Sequence, residues 1–211
     1  MQTAHSDSSI SRVKKFALRF RGAYYRVFGR PFKAGETSKA HARRTRENFF
    51  EKYCQGRGLD VGCGGDPIVK DVFRWDREYG DAQFLNGIQN ETFDYVYSSH
   101  VLEHMDCPST ALKNWWRVLK PDGHLIFYVP DRDVYEKKLV LPSKWNPDHK
   151  HFFLRDRDEP PHTKGIIPLV RKSLPDARII YVKNCRDGHT ITDPDTHSDG
   201  EYSIEAVLQK P

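Results

Sequence analysis

Between residues 58 and 129, short apolar runs of strand length alternate with glycine-rich turns and one amphipathic helix. That alternation constrains the chain more than any other feature. Strands separated by helical and loop crossovers build an α/β domain with a largely parallel sheet. The strand-like runs are residues 58–61, 72–76, 93–98 and 124–129, followed by 177–183 and 202–209. Residues 109–120 have helical periodicity, with Ala111, Leu112, Trp115, Trp116, Val118 and Leu119 inward. Ser109 is the expected N-cap, and Pro121-Asp122-Gly123 ends the helix as a turn. Two more helices are expected upstream. Residues 10–28 carry apolar side chains at helical spacing with Lys and Arg between, and Gly29-Arg30-Pro31 stops them. Residues 38–53 form the second, with Arg43, Arg44 and Arg46 on a basic face.

A chain of 211 residues with 37% hydrophobic content can bury one core. The expected division is a basic N-terminal arm over 1–37 and an α/β domain over 38–211. Residues 1–52 hold thirteen Lys and Arg against four acids. They therefore carry +9 in a chain of net charge +5, and the remainder is −4. A basic amphipathic helix can lie on an anionic membrane surface, contact nucleic acid phosphates, or pack on its own domain. No apolar run reaches the length of a membrane span, and the N-terminus has no apolar signal core. Cys54, Cys63, Cys107 and Cys185 lack paired spacing, which favours free thiols in a reducing compartment. The expected location is cytoplasmic, with peripheral membrane contact left open.

The first strand leads into GLDVGCGGDP, residues 58–67, with four glycines in ten. In sheets of this kind ligands lie at the carboxyl ends of strands, near the switch in strand order. Gly62 and Gly64 let the backbone turn sharply and approach a ligand with no Cβ in the way. Alone, the stretch reads equally well as a tight turn. Three downstream features favour a nucleoside site. Asp76 closes the second strand, where an acid can accept both ribose hydroxyls. Gly80-Asp81-Ala82 puts an acid where it could accept from an adenine amino group. The third strand ends in SSHVLEH, residues 98–104, a polar cluster at the same sheet edge.

Together these residues resemble the class I S-adenosylmethionine-dependent methyltransferases, in particular methyltransferase type 11-like domains with a compact LEH segment. The resemblance covers roughly residues 55–209 and rests on LDVGCGG, GDAQFL, FDYVYSSHVLEH and RVLKPDGHLIFYVP. It implies a Rossmann-like, mostly parallel seven-stranded sheet with an antiparallel last strand, plus N-terminal helices. It also implies S-adenosylmethionine as cofactor, released as S-adenosylhomocysteine. By the same resemblance, Asp60 and the backbone of Gly62, Cys63 and Gly64 hold the methionine part. Asp76 takes the ribose, Asp81 and Ala82 meet the adenine, and Ser98 lines the sulfonium end. This sequence departs from the family in two places. Asp66 stands where many members carry a third glycine. Gly62 and Asp76 are only fourteen positions apart, against about 20 in dinucleotide-binding folds. The first crossover helix must be abbreviated, and Asp71 or Glu78 is an alternative ribose acceptor.

Further on, WNPDHKHFF (residues 145–153) brings His149 and His151 into an aromatic segment. Neutral imidazole suits a base near pH 7, so His149, His151 and His104 are candidate catalytic bases. Each reads equally as a brace for its loop. His100, Glu103 and His104, or Asp148, His149 and His151, include metal-ligand types. Neither arrangement reproduces an established metal motif, and no metal is expected. Transfer of an activated methyl needs mainly the alignment of nucleophile, carbon and sulfur. The expected activity is O-methylation of a small molecule or sugar. The alternatives are an RNA or protein methyltransferase that holds its target with the arm, and a non-catalytic nucleoside-binding domain.

Overall fold

The computed structural model describes residues 35–211, so the helix expected over 10–28 lies outside the described residues. Three short helices come first: α1 (Glu36–Lys39), α2 (His41–Arg46) and α3 (Phe49–Tyr53). They replace the single helix expected over 38–53. Asn48, at φ +52°, breaks the run ahead of α3, a left-handed conformation that Asn tolerates better than most residues.

The main sheet contains β1 (Gly58–Val61), β2 (Phe73–Trp75), β3 (Phe93–Ser99), β4 (Leu119–Pro130), β7 (Arg178–Cys185) and β8 (Ser203–Gln209). Its order is β2-β1-β3-β4-β8-β7. The pairs β1/β2, β1/β3 and β3/β4 are parallel, and β8 runs antiparallel to both β4 and β7. The expected antiparallel last strand is thus present, wedged between two neighbours. Among the described residues the main sheet has six strands rather than seven. The segment between β2 and β3 forms turns instead, with Gly80 and Gly87 at positive φ and mostly exposed residues around them. Two short strands, β5 (Phe152–Leu154) and β6 (Thr163–Gly165), pair separately.

Side chains alternate between the two sheet faces, as the period of a strand requires. Val96, Leu125, Phe127, Ile204, Ala206 and Leu208 pack under α4 (Pro108–Arg117) and α5 (Ile166–Ser173), with Trp115 fully buried among them. Tyr95, Tyr97, Ile126 and Val207 face the other way and meet Phe49 of α3. Helix α4 starts at Pro108 with Cys107 as its N-cap, not at Ser109. Proline suits the first helical position, where its missing N–H costs nothing. The Ser109 hydroxyl instead accepts from Ser173 (2.8 Å), which ties α4 to α5.

The topology sets the position of the site. The neighbours of β1 are β2 on one side and β3 on the other, so the loops leaving β1 and β3 part at their carboxyl ends and open a crevice. No helix fills the crossover from β1 to β2, which matches the abbreviation expected from the short Gly62–Asp76 spacing.

Candidate functional site

A cavity of about 270 Å³ lies in this crevice. Its wall comprises the loop after β1 (Gly62, Cys63, Gly64, Gly65, Asp66), the end of β3 (Ser99, His100), and Gly35, Glu36 and Thr37 at the start of α1. Gly62 has φ +73°, and a Cβ there would stand 2.3 Å from Val101. Its N–H donates to Trp75 O (2.6 Å) and fastens the loop to β2. Gly64 has φ +53°, and a Cβ there would meet nothing within 4 Å. It faces open space, as a backbone cradle for a ligand must.

Asp60 is fully buried on β1 and does not reach the cavity. One of its oxygens accepts from Ile68 N (2.7 Å) and the other has no hydrogen-bond partner. Burial pushes its carboxyl up to about 8. Asp60 therefore acts on the loop from beneath, fixing where the chain re-enters after Asp66. Burial likewise pushes the Cys63 thiol above its ordinary range.

Asp76 lies beside the cavity wall. Its Oδ2 accepts from Gly64 N (2.9 Å) and its Oδ1 from Arg77 N (2.8 Å). The alternatives Asp71 and Glu78 are exposed. Asp81 is exposed too; its Oδ1 accepts from Gln83 N (2.7 Å), while the carbonyl of Ala82 accepts from Trp115 Nε1 (2.8 Å). Ser98 is buried with an unpartnered Oγ, and the wall at that end is made by Ser99 and His100 instead.

The site residues expected from the sequence leave out seven wall residues: Gly35, Glu36, Thr37, Gly65, Asp66, Ser99 and His100. Asp66, which stands in place of the usual glycine, has a clear structural role. Its carboxylate accepts from Gly35 N (3.0 Å), Ser38 N (2.9 Å) and the Ser38 hydroxyl, and so caps α1 from another part of the chain. The cap holds α1 over the glycine loop, and with it residues 35–37, which the sequence division assigns to the arm. Glu36 Oε1 accepts from Tyr202 (2.5 Å) and Lys39 (3.0 Å). Burial raises the Glu36 carboxyl, but His100, Tyr202 and Lys39 outweigh it and hold the group below its ordinary range. His100 adopts φ +53°, which turns its ring into the wall beside Tyr128, Tyr135 and Tyr202. Its Nε2 lies 2.9 Å from Ser203 Oγ, and burial lowers its pKa to about 4.

None of the three candidate bases lines the cavity. His104 and His149 sit together behind His100, with ring centroids 4.9 Å apart. His151 Nε2 faces Asp106 O at 3.4 Å and braces that loop.

The fold and the position of the pocket define a Rossmann-like α/β domain with a ligand site at its topological switch point. Residues 74–127 match the family model of a methyltransferase domain. That match and the fold agree with a class I methyltransferase domain. Solved structures share the fold. A SAM-dependent methyltransferase of Thermotoga maritima, a candidate histamine N-methyltransferase, superposes with TM-score 0.53 at 17% identity over 94% of this chain and 98% of its own. A SAM-dependent methyltransferase of Archaeoglobus fulgidus gives 0.50 at 15% identity over 83% and 95%. The [4+2]-cyclase SpnF gives 0.54 at 13% identity over 94% and 96%. No curated protein sequence matches this chain.

Proposed function

We propose that this protein is an S-adenosylmethionine-dependent methyltransferase that methylates an oxygen of a small-molecule or sugar acceptor. The observation that carries the reading is the Gly62–Asp66 loop, open at Gly64 and linked through the Gly64 N–H to the Asp76 carboxylate. This donor set fits the cofactor. The backbone at Gly62–Gly65 would hold the amino-acid arm, the acids Glu36 and Asp66 suit a cationic ligand, and Asp76 would take the ribose hydroxyls. The 270 Å³ cavity is slightly below the usual range of about 300–1,000 Å³ for ligand pockets. It therefore accounts for the methionine end, with Asp76, Asp81 and Ala82 forming an outer rim for the nucleoside.

The cofactor supplies a methyl already activated on a sulfonium. The chain's own residues align the acceptor and exclude water. His100 is the imidazole on the cavity wall, and we assign it the acceptor proton in place of His104, His149 and His151. The same fold serves a cyclase, so fold alone does not supply methyl transfer.

Calorimetry with S-adenosylmethionine and S-adenosylhomocysteine tests the cofactor; absence of binding by either at about 1 mM removes the reading, since weaker affinity than ~4 kcal/mol supports no specific site. Transfer of labelled methyl to small hydroxyl acceptors, RNA and protein, before and after deletion of residues 1–34, tests the acceptor. Loss of activity only toward RNA or protein on deletion would favour the arm as a substrate clamp. Binding without transfer to any acceptor would favour a nucleoside-binding domain. No helix among the described residues is long and apolar enough to cross a membrane.

A further inference from the structure

We propose that Glu103, His104 and His149 form a binding site for one divalent first-row transition metal ion, distinct from the cofactor cavity and adjoining it through His100. Metal binding here does not depend on the methyltransferase reading.

Glu103 is fully buried, and neither of its carboxylate oxygens has a hydrogen-bond partner. A buried carboxylate left unsatisfied is costly, and such groups occur where an ion or another partner completes them. Three imidazole nitrogens surround one of its oxygens. Glu103 Oε1 lies 3.9 Å from His104 Nε2, 3.8 Å from His149 Nε2 and 3.7 Å from His100 Nδ1. These separations are too long for hydrogen bonds. They come close to the spacing of ligands around a shared ion, about 3.4 Å for tetrahedral sites with metal–ligand bonds of ~2.1 Å. The ligating atoms of Glu103, His104 and His149 all fall within 4.8 Å of one another.

The partners behind the two histidines fix which nitrogen is free. His104 Nδ1 faces the Asp148 carbonyl at 3.1 Å. A carbonyl can only accept, so Nδ1 carries the proton and Nε2 presents its lone pair to the cluster. His149 Nδ1 donates to Glu136 Oε1 (2.5 Å), and Glu136 Oε2 accepts from Ser143 Oγ (2.5 Å). A carboxylate behind an imidazole in this way sets the tautomer and raises ligand basicity at metal centres. Backbone bonds assemble the group without any ion. The Lys150 and His151 N–H groups both donate to the Glu103 carbonyl, at 2.8 and 3.3 Å, and bring the His149 loop onto the LEH turn.

Two imidazoles and one carboxylate suit Zn²⁺, Fe²⁺, Co²⁺ or Mn²⁺ better than Mg²⁺ or Ca²⁺, which take oxygen ligands. Three protein ligands leave at least one coordination position open, the pattern of catalytic rather than structural ions. The consequence for catalysis does rest on the methyltransferase reading. An acceptor hydroxyl bound at the open position loses its proton more readily. Its oxygen then bonds the methyl carbon, the carbon–sulfur bond breaks, the sulfonium leaves as a neutral thioether, and the proton passes through the His100 imidazole to solvent.

The test is metal uptake by the full chain after chelation and dialysis. Co²⁺ titration should give visible absorption bands saturating at about one ion per chain, displaced by Zn²⁺. Glu103→Gln and His104→Ala should abolish the bands, and Glu136→Gln should weaken affinity by about 10- to 100-fold. His151→Ala should leave uptake unchanged. His104 is 24% exposed, so its alanine variant tests the site even where a buried substitution unfolds the protein. Absence of Co²⁺ bands at about 1 mM, a concentration that at least half-fills any site with a Kd below about 1 mM, overturns the proposal. Uptake by His104→Ala equal to that of wild type overturns it as well.

Discussion

Replacing Glu205 with Gln perturbs the contact that holds the N-terminal helices on the sheet. Glu205, on β8, is fully buried against two arginines of α2. Its Oε2 accepts from Arg44 Nε (2.8 Å) and Arg43 Nη2 (3.1 Å), and its Oε1 from Arg43 Nη1 (3.0 Å). Arg43 keeps Glu201 and Glu47 as further partners. Arg44, with no exposed surface, would retain the Tyr97 hydroxyl as its other hydrogen-bond partner. Burial raises the Glu205 carboxyl, but Arg44 and Arg43 outweigh it and bring the group from its ordinary 4.5 down to about 2. At ~1.4 kcal/mol per pH unit, that difference is about 3 kcal/mol. Breaking a buried ion pair by removing one partner costs about 3–5 kcal/mol, the same order. The folded carboxyl is the stronger acid, so its contribution is complete above pH 4.5 and is lost as pH falls toward 2. Urea unfolding near pH 7 should therefore show Glu205→Gln about 3 kcal/mol less stable than wild type, with the gap narrowing below pH 4.5. A gap under about 0.5 kcal/mol near neutrality would place the pair with surface bridges and refute the reasoning. So would a gap that stays constant as the pH is lowered.

Other substitutions separate the roles of the loop residues. Gly64→Ala should cost only about 1–2 kcal/mol of backbone strain, yet weaken S-adenosylmethionine binding in calorimetry, because its methyl projects into the open cavity. Gly62→Ala adds a 2.3 Å clash with Val101 to a similar strain, so its melting temperature should fall further than that of Gly64→Ala. Asp66→Ala removes the remote cap of α1, worth about 0.5–2 kcal/mol, and should expose residues 35–40 to limited proteolysis at a rate that wild type does not show. Asp76→Asn should weaken binding of S-adenosylhomocysteine more than Asp71→Asn, as read by calorimetry, because only Asp76 adjoins the glycine loop.

Features set by local pattern were legible in the sequence. The strands expected from short apolar runs at 58–61, 72–76 and 93–98 appear at 58–61, 73–75 and 93–99, and the turn-only crossover after β1 follows from fourteen-residue spacing. Features set by distant contacts were not. His100 carries no mark of its left-handed backbone, which depends on Tyr128 O accepting its N–H (2.8 Å) and on Ser203 beside its ring. The convergence on Glu103 joins the LEH turn to a loop more than forty residues downstream, and residue types alone could not distinguish that from two separate loop braces.

The basic face of α2 shows most clearly how such contacts change a functional reading. Helical spacing puts Arg43, Arg44 and Arg46 together, and on composition they count toward a positively charged clamp. In the folded chain Arg43 and Arg44 are buried against Glu201 and Glu205, residues that the sequence assigns to the acidic remainder. Arg46, though exposed, pairs with Asp187. Charges neutralised in this way contribute little field to a polyanionic partner, whose binding scales with the number of phosphates neutralised. The +9 of residues 1–52 therefore overstates what is available for RNA. The clamp reading therefore turns on residues 1–34, and their deletion removes none of the residues of the Arg–Glu cluster or of the cavity wall.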